Sequence, residues 1–145
     1  MLDLALASAH HILIFGIFGV LFAEFIVVRP GLSNAAARRI ATMDAWYGAL
    51  AGAVIVIGFS RAIFAAKGWD YYSHNGFFWA KIADFALIGL LSVPPTIAFI
   101  RWRKSEVAPD DAAIRLARRY IHIEVALFVL LPIFAAAMAR GYGEF

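Results

Sequence analysis

The sequence contains no cysteine among its 145 residues, and only 16% of its residues are charged. The first absence excludes disulfide bonds, iron–sulfur clusters and thiolate-ligated metals, and leaves no thiol to report the redox compartment. The low charge, together with 63% hydrophobic residues and a mean hydropathy of +0.80, excludes an ordinary soluble domain with one buried core. The composition therefore indicates an integral membrane protein whose surface contacts the lipid bilayer.

Several sequence signals of common activities are also missing. There is no glycine-rich nucleotide loop, no nucleophile constellation and no HExxH-type zinc motif. No Lys or Arg precedes the first apolar run, which follows Asp3, so the basic region of a cleaved signal peptide is absent and we expect a retained helix.

Four apolar runs are long enough to cross a hydrocarbon layer, which needs about 20 helical residues. They cover roughly residues 8–28, 45–66, 77–100 and 119–139, and they leave no room for a soluble domain. We predict an all-α fold in which residues 1–145 form a single transmembrane domain, an integral membrane four-helix bundle.

Capping residues and prolines refine the ends of these spans. Ser33 or Asn34 and Asp110 or Asp111 are placed to cap helices that begin before spans 2 and 4. We also expect the Pro94-Pro95 pair to bend or shorten span 3 near its inner end, and Pro132 to kink span 4.

The basic residues are concentrated on two of the three connections. The connections after spans 1 and 3, with the helix starts that follow them, carry Arg29, Arg38, Arg39, Arg101, Arg103, Lys104, Arg115, Arg118 and Arg119. By the positive-inside rule this end of the bundle, called the inner end below, faces the cytoplasm, and both termini are external. This placement explains the pI of about 9.5 without nucleic acid, so we predict no nucleic-acid partner. We expect a multi-pass protein of the bacterial cytoplasmic (inner) membrane; its composition is compatible with a homo-oligomer but does not fix the oligomeric state.

Two segments of the sequence resemble each other. Ala37-Arg38-Arg39 followed by Asp44 matches Ala117-Arg118-Arg119 followed by Glu124 at a constant offset. The match predicts two similar helical hairpins. Close helix packing is further favoured by the GxxxG pair Gly48 and Gly52 in span 2.

Ionisable residues inside the spans fall at two depths. The outer polar layer contains His10, His11, Arg61, Lys81, Asp84 and Arg140, and the inner polar layer contains Glu24, Asp44, His122 and Glu124. Ionisable residues at such depths are costly and commonly functional. A histidine among cations in an apolar bundle favours a haem site, since imidazole binds the iron and cations receive the propionates. His10 and His11 point about 100° apart, so only one is expected to bind the iron, and the sequence does not say which.

The outer polar layer also has simpler interpretations. Lys81 could pair with Asp84 one turn away, and Lys81, Arg61 and Arg140 could extend to the outer headgroups as anchors. A divalent metal bound by the two histidines and Asp84 is less favoured, because two neighbouring cations would repel it. For the inner layer we predict interfacial ion pairs of Asp44 with Arg38 or Arg39 and of Glu124 with Arg118 or Arg119.

The segments "AHH" in span 1, "GFSRAIF" at the end of span 2 and "GWDYYSHNGFFWAKIADFALIG" entering span 3 resemble a family of small bacterial membrane proteins of unknown function, DUF2214. More distantly the chain is similar to HemJ-type protoporphyrinogen oxidases and to the membrane part of CopD copper-resistance proteins. The resemblance implies a haem-b membrane protein in which a histidine of span 1 and a lysine of span 3 are the key residues. Here these are His10 or His11 and the candidate catalytic residue Lys81. The doubled histidine, Asp84 and the "VRP" end of span 1 depart from the HemJ pattern.

Three functions remain open from the sequence. The first is a haem-b oxidoreductase or electron-transfer protein acting on an apolar reductant such as a porphyrinogen or quinol. The second is a binding or transport accessory whose outer cationic layer holds an anion or a metal. The third is a structural or assembly subunit in which these charges are only anchors.

Overall fold

The computed structural model describes residues 1–64 and 67–145, and within them every regular element of the chain except one isolated bridge is helical. The helices are α1 (Leu2–Val27), α2 (Asn34–Phe64), α3 (Gly68–Ser73), α4 (Gly76–Lys104), α5 (Asp111–Phe128) and α6 (Leu130–Ala139). By length and composition, α1, α2, α4 and the combined α5–α6 segment Asp111–Ala139 could each cross a membrane. The predicted all-α bundle of four long apolar helices is confirmed, while the predicted end of span 2 at residue 66 lies outside the described residues.

The four spans close around one shared core. α1 packs against α2 and α5, and α4 packs against α2, α5 and α6. Fully buried side chains from all four spans meet there, including Ile17, Ile40, Phe99 and Ile121. Large apolar side chains elsewhere, such as Phe15 and Leu90, are exposed. An apolar exterior of this extent suits a surface that faces lipid.

The predicted starts of spans 2 and 4 are confirmed. The Ser33 hydroxyl accepts a hydrogen bond from the backbone N–H of Ala36 at 3.2 Å, and the Asp110 carboxylate accepts one from Ala113 at 2.7 Å. These side chains satisfy N–H groups that have no partner within a helix. As a result, α2 and α5 begin well before their apolar runs.

The prolines act differently in the two halves of the chain. Pro132 has no N–H to donate to the Phe128 carbonyl, and span 4 is interrupted there, between α5 and α6. The predicted kink is therefore found as a break at Val129. In contrast, α4 continues through Pro94 and Pro95 to Lys104, so of the two effects predicted for this pair, a bend or a shorter helix, the shortening does not occur. Pro95 is buried, and packing on neighbouring helices maintains α4 across the missing hydrogen bonds.

The two basic connections meet at the inner end. The backbone N–H of Gly31 donates to the Asp111 carboxylate at 3.1 Å, and the Asn34 side-chain amide donates to the Glu106 carbonyl at 2.8 Å. The two hairpins are thus joined directly by hydrogen bonds between their connections.

Arg118 of α5 forms hydrogen bonds with the C-terminal end of α1, also at the inner end of the bundle. Its Nη1 donates to the carbonyls of Phe25 at 3.2 Å and Val28 at 2.6 Å. The last carbonyls of a helix have no intrahelical donor and carry partial negative charge, so a guanidinium is well suited to them. This α5 side chain therefore fixes where α1 ends.

The C-terminal residues lie over the start of α4 at the outer end. Asn75 is completely buried and caps α4, since its side-chain Oδ1 accepts hydrogen bonds from the N–H groups of Phe77 and Phe78. Its amide nitrogen donates to the Tyr142 carbonyl at 3.0 Å, and the N–H of Gly76 donates to the Gly143 carbonyl at 2.8 Å. The chain terminus is therefore attached to the connection between α3 and α4.

The burial pattern follows the internal repeat. Ala37 and Ala117 are both buried, as are Asp44 and Glu124 at the same offset. This agreement fits two similar hairpins. The prediction that Gly48 and Gly52 allow close packing between helices of one chain is, however, wrong. A Cβ built at either glycine would have no atom of another described helix within 4 Å. Neither glycine is in close contact with a neighbouring helix.

The membrane orientation gives a first testable prediction. Because the basic connections form one end of the bundle, reporter fusions after Phe145 should read as external, and fusions within residues 105–110 should read as cytoplasmic. Paired fusions to alkaline phosphatase and to a fluorescent protein that folds only in the cytoplasm would measure this. Reversed signals at both positions would contradict the assignment of the inner end.

Candidate functional site

The ionisable residues of the spans remain in two separate layers in the structure. His10 and Glu24 both lie on α1, and the 1.5 Å rise per residue separates them by about 20 Å along that helix. Groups in one layer therefore cannot contact groups in the other directly.

His10 and His11 occupy different environments. His10 is partly buried beside α2, where a Cβ added at Gly58 would come within 3.2 Å of its Cε1 atom. Its Nδ1 is buried and has no hydrogen-bond partner among the described residues. His11 is exposed, and its Nδ1 lies 2.6 Å from the carbonyl oxygen of Ala7 on its own helix. Of the two histidines, only His10 faces the bundle with a free ring nitrogen.

Two cations accompany His10. Arg61 of α2 and Lys81 of α4 both lie within electrostatic range of the His10 imidazole and of each other. The Nε of Arg61 is buried without a hydrogen-bond partner, and the Lys81 ammonium lies 5.6 Å from the ring centroid of Phe78. Three spans therefore contribute one basic group each to a basic cluster, defined as His10, Arg61 and Lys81.

The basic cluster has no anionic partner in the described parts of the chain. The only side-chain ion pair within 4.0 Å among residues 1–64 and 67–145 joins His74 to Asp70. The expected alternative, a Lys81–Asp84 pair, is therefore not formed. Asp84 is buried with one carboxylate oxygen unpartnered, and Arg140 is exposed beyond the end of α6. Asp84 therefore does not offset the charge of the cluster, and Arg140 is not among the cations that act on His10 or Lys81.

The inner polar layer differs from its prediction. Glu24, Asp44 and Glu124 form an acidic cluster contributed by α1, α2 and α5, and their exposed fractions are only 3%, 7% and 1%. No arginine lies within ion-pair distance of them in the described structure, so the predicted interfacial pairs with Arg38, Arg39, Arg118 and Arg119 are wrong. Arg118 instead binds backbone carbonyls at the end of α1.

Two neutral hydroxyl groups contact the acidic cluster. Thr96 of α4 donates to an Asp44 oxygen at 2.9 Å, and Tyr47 of α2 donates to a Glu124 oxygen at 3.4 Å. One oxygen of Glu24 and one of Glu124 are buried without a partner among the described residues. His122, predicted for this layer, is exposed on α5 with its Nδ1 2.6 Å from the Arg118 carbonyl oxygen.

A cavity of about 390 Å³ runs between α2 and α4 beside the acidic cluster. Asp44, Tyr47 and Thr96 line it towards the inner end, and Ile55 and Phe85 line it towards the outer end. Ile55 and Phe85 are each one helical turn from Gly58 and Lys81, respectively. The cavity thus extends from the acidic cluster to just short of the basic cluster.

Among the described residues, no three His, Cys, Asp or Glu side chains are grouped so that they could hold a metal ion. Neither layer therefore offers a conventional metal centre made of protein ligands alone.

A family profile described as "Predicted membrane protein (DUF2214)" matches residues 2–143 of the chain. No curated protein and no solved structure matches it. The match and the four apolar helices together establish a multi-pass membrane protein.

Proposed function

The chain belongs to the DUF2214 family of membrane proteins, and we propose that it binds haem b at the basic cluster and serves as a membrane oxidoreductase or electron carrier. The observation that carries this proposal is the uncompensated basic cluster itself. An imidazole with a free nitrogen and two cations without anions meet in the outer half of an apolar bundle. Haem b is a ligand that requires both kinds of group.

Each residue of the cluster has a separate role in the proposal. His10 would supply the axial nitrogen, since its Nδ1 has no hydrogen-bond partner and its ring faces α2 rather than lipid. Lys81 and Arg61 would receive the two propionates, because partly buried cations without counter-charges favour an anionic partner. Haem would supply the one-electron chemistry, while these side chains set its position and the charge around it.

The basic cluster lies outside the cavity between α2 and α4. The nearby cavity begins one turn further in and has mostly apolar walls, which suits an apolar reductant such as a quinol or porphyrinogen. We place the protein in the cytoplasmic membrane of a bacterium, where such reductants dissolve.

The test is an absorption spectrum of the protein purified in detergent from cells supplied with a haem precursor. We expect a Soret band that co-elutes with the monodisperse protein. The pyridine haemochrome assay should give about one haem per protein chain, because each chain contains one proposed site. Reduction with dithionite should shift the band, as expected for redox-active iron.

A specific alternative follows from the same cluster if the proposal fails. Three basic groups without an anion would also suit a small inorganic or organic anion. If the purified protein shows no Soret band and does not bind added haemin, the haem proposal is wrong. Stabilisation of the protein by phosphate or a carboxylate would then favour the anion site, and lack of stabilisation would favour anchoring charges.

A further inference from the structure

The acidic cluster is the second group of buried ionisable residues in the protein, and the proposed haem site does not use it. Glu24, Asp44 and Glu124 converge from three helices at 3%, 7% and 1% exposure. Asp44 lies near enough to both glutamates to interact with them electrostatically. Three buried carboxyl groups in one layer are too costly to keep all ionised without cations.

The groups that face the cluster from each packed helix offer no compensating charge. α2 provides the Tyr47 hydroxyl and α4 provides the Thr96 hydroxyl, whereas Arg118 of α5 donates from its Nη1 to the carbonyls of Phe25 and Val28. Arg103 of α4 lines the cavity near its inner end but is exposed, and no ion pair joins it to the described carboxylates. The charge of the acidic cluster must therefore be neutralised by a positively charged ligand that is not one of the described side chains.

Two carboxyl oxygens of the acidic cluster indicate what this ligand is. Oε1 of Glu24 and Oε1 of Glu124 are buried and lack partners in the described structure, although each side chain is at least nine-tenths buried. Within residues 1–64 and 67–145, no group of three or more His, Cys, Asp or Glu side chains is arranged to hold a metal ion. A proton needs no coordination shell and neutralises one carboxylate at a time, so it fits this arrangement where a metal does not.

The cavity supplies a route to the cluster. Asp44 and Tyr47 belong to both, since they line the cavity and Tyr47 donates to Glu124. Ala41 and Arg103 line its inner end, where the basic connections lie. Hydroxyl and carboxyl groups along one wall can pass a proton by exchanging hydrogen-bond partners.

We propose that Glu24, Asp44 and Glu124, with the Tyr47 hydroxyl, form a buried proton-binding site that exchanges protons with the inner aqueous side through the cavity between α2 and α4. Each uptake converts one carboxylate to a carboxylic acid with a proton from water, and release reverses it. The site is independent of the haem proposal, because no residue is shared between the two clusters.

Infrared difference spectroscopy of the protein in lipid nanodiscs tests the protonation. At neutral pH we expect the C=O stretching band of protonated carboxyl groups in the wild type, a loss of intensity in Glu124→Gln and Glu24→Gln, and no loss in Glu106→Gln, an exposed loop control. Tyr47→Phe should shift the band without removing it, because it deletes a hydroxyl donor but keeps all carboxyl groups. If the glutamine variants do not fold, the shift of the band in Tyr47→Phe tests the proposal instead. Absence of the band in the wild type, or no change of the band in any of the three cluster variants, would overturn the proposal.

A matched pair of glycine variants tests the route. A side chain at Gly48 or at Gly52 would meet no described atom within 4 Å of its Cβ, but only Gly48 lines the cavity. After transfer to D2O, the carboxyl band should move to lower frequency quickly in the wild type and in Gly52→Leu, and at least about tenfold more slowly in Gly48→Leu. Equal rates in the two variants would overturn the route through the cavity, and a band that never shifts would overturn proton exchange itself.

Discussion

Replacing His10 by alanine should abolish the Soret band of haem-loaded protein, whereas replacing His11 by alanine should leave it essentially unchanged. His10 faces Gly58 of α2 with a buried free Nδ1, while His11 is exposed and has its Nδ1 against the Ala7 carbonyl. Loss of a group that only supports a metal ligand typically lowers affinity about 10- to 100-fold. Loss of the axial ligand itself should lower haem affinity by at least about 100-fold.

The two variants control for each other. Both remove one imidazole from adjacent positions of the same helix turn, so a general effect on α1 would appear in both. Haem content per protein, measured after elution as a monodisperse species with unchanged helical circular dichroism, reports the difference. Equal haem contents in His10→Ala and His11→Ala would contradict the assignment of His10 as the axial ligand, and a selective loss in His11→Ala would reverse it.

The choice between these histidines could not be made from the sequence, and the reason is physical. α1 is apolar on nearly all sides, so its own sequence does not define which face turns inward. The rotation of α1 is set by its neighbours, for example by Leu50 of α2, which would lie 3.6 Å from a Cβ built at Gly16, and by the hydrogen bonds of Arg118 to the end of α1. These contacts join residues far apart in the chain. The sequence near His10 and His11 contains no signal for these long-range contacts.

Features that depend on nearby residues were predicted well. The starts of α2 and α5 follow from Ser33 and Asp110, and the break in span 4 follows from the missing N–H of Pro132. α4 continues through Pro94 and Pro95, as the predicted span 77–100 does, but the shortening offered as one effect of this pair does not occur, because packing on other helices compensates for the lost hydrogen bonds there. Local signals therefore located most helix ends, and tertiary packing decided the exception.

The sequence contains a signal for the burial of the acidic cluster, and the predicted ion pairs with arginine do not take it into account. Ala37, Ala41 and Asp44 follow the spacing of one helical face, and Ala117, Ile121 and Glu124 repeat it. The small and apolar members of each face indicate the buried side, so the carboxyl groups belong inside the bundle. The ion-pair prediction placed these carboxyl groups at the surface because arginines lie within two helical turns of them in the chain.

Lys81 should show opposite effects on stability and on haem binding when it is replaced by methionine. In the described structure its ammonium lies near Phe78 and has no carboxylate within ion-pair distance. Without haem, Lys81→Met removes an uncompensated cation from a mostly apolar site, and we expect the free energy of unfolding to rise by about 1 kcal/mol or more. With haem, it removes a charge-assisted bond to a propionate, which is worth roughly 1.5–3 kcal/mol.

The expected result is therefore a haem affinity lowered about tenfold to a hundredfold in Lys81→Met, although the haem-free protein unfolds at a higher temperature. Lys81→Arg keeps the charge, so it should retain haem with an unchanged spectrum if Lys81 binds a propionate, and change the spectrum if Lys81 binds the iron. Lys104→Met, at the exposed inner end of the same helix, is the matched control and should change neither property. If Lys81→Met raises the unfolding temperature but binds haem as tightly as the wild type, Lys81 lies outside the haem site and its charge serves the membrane interface.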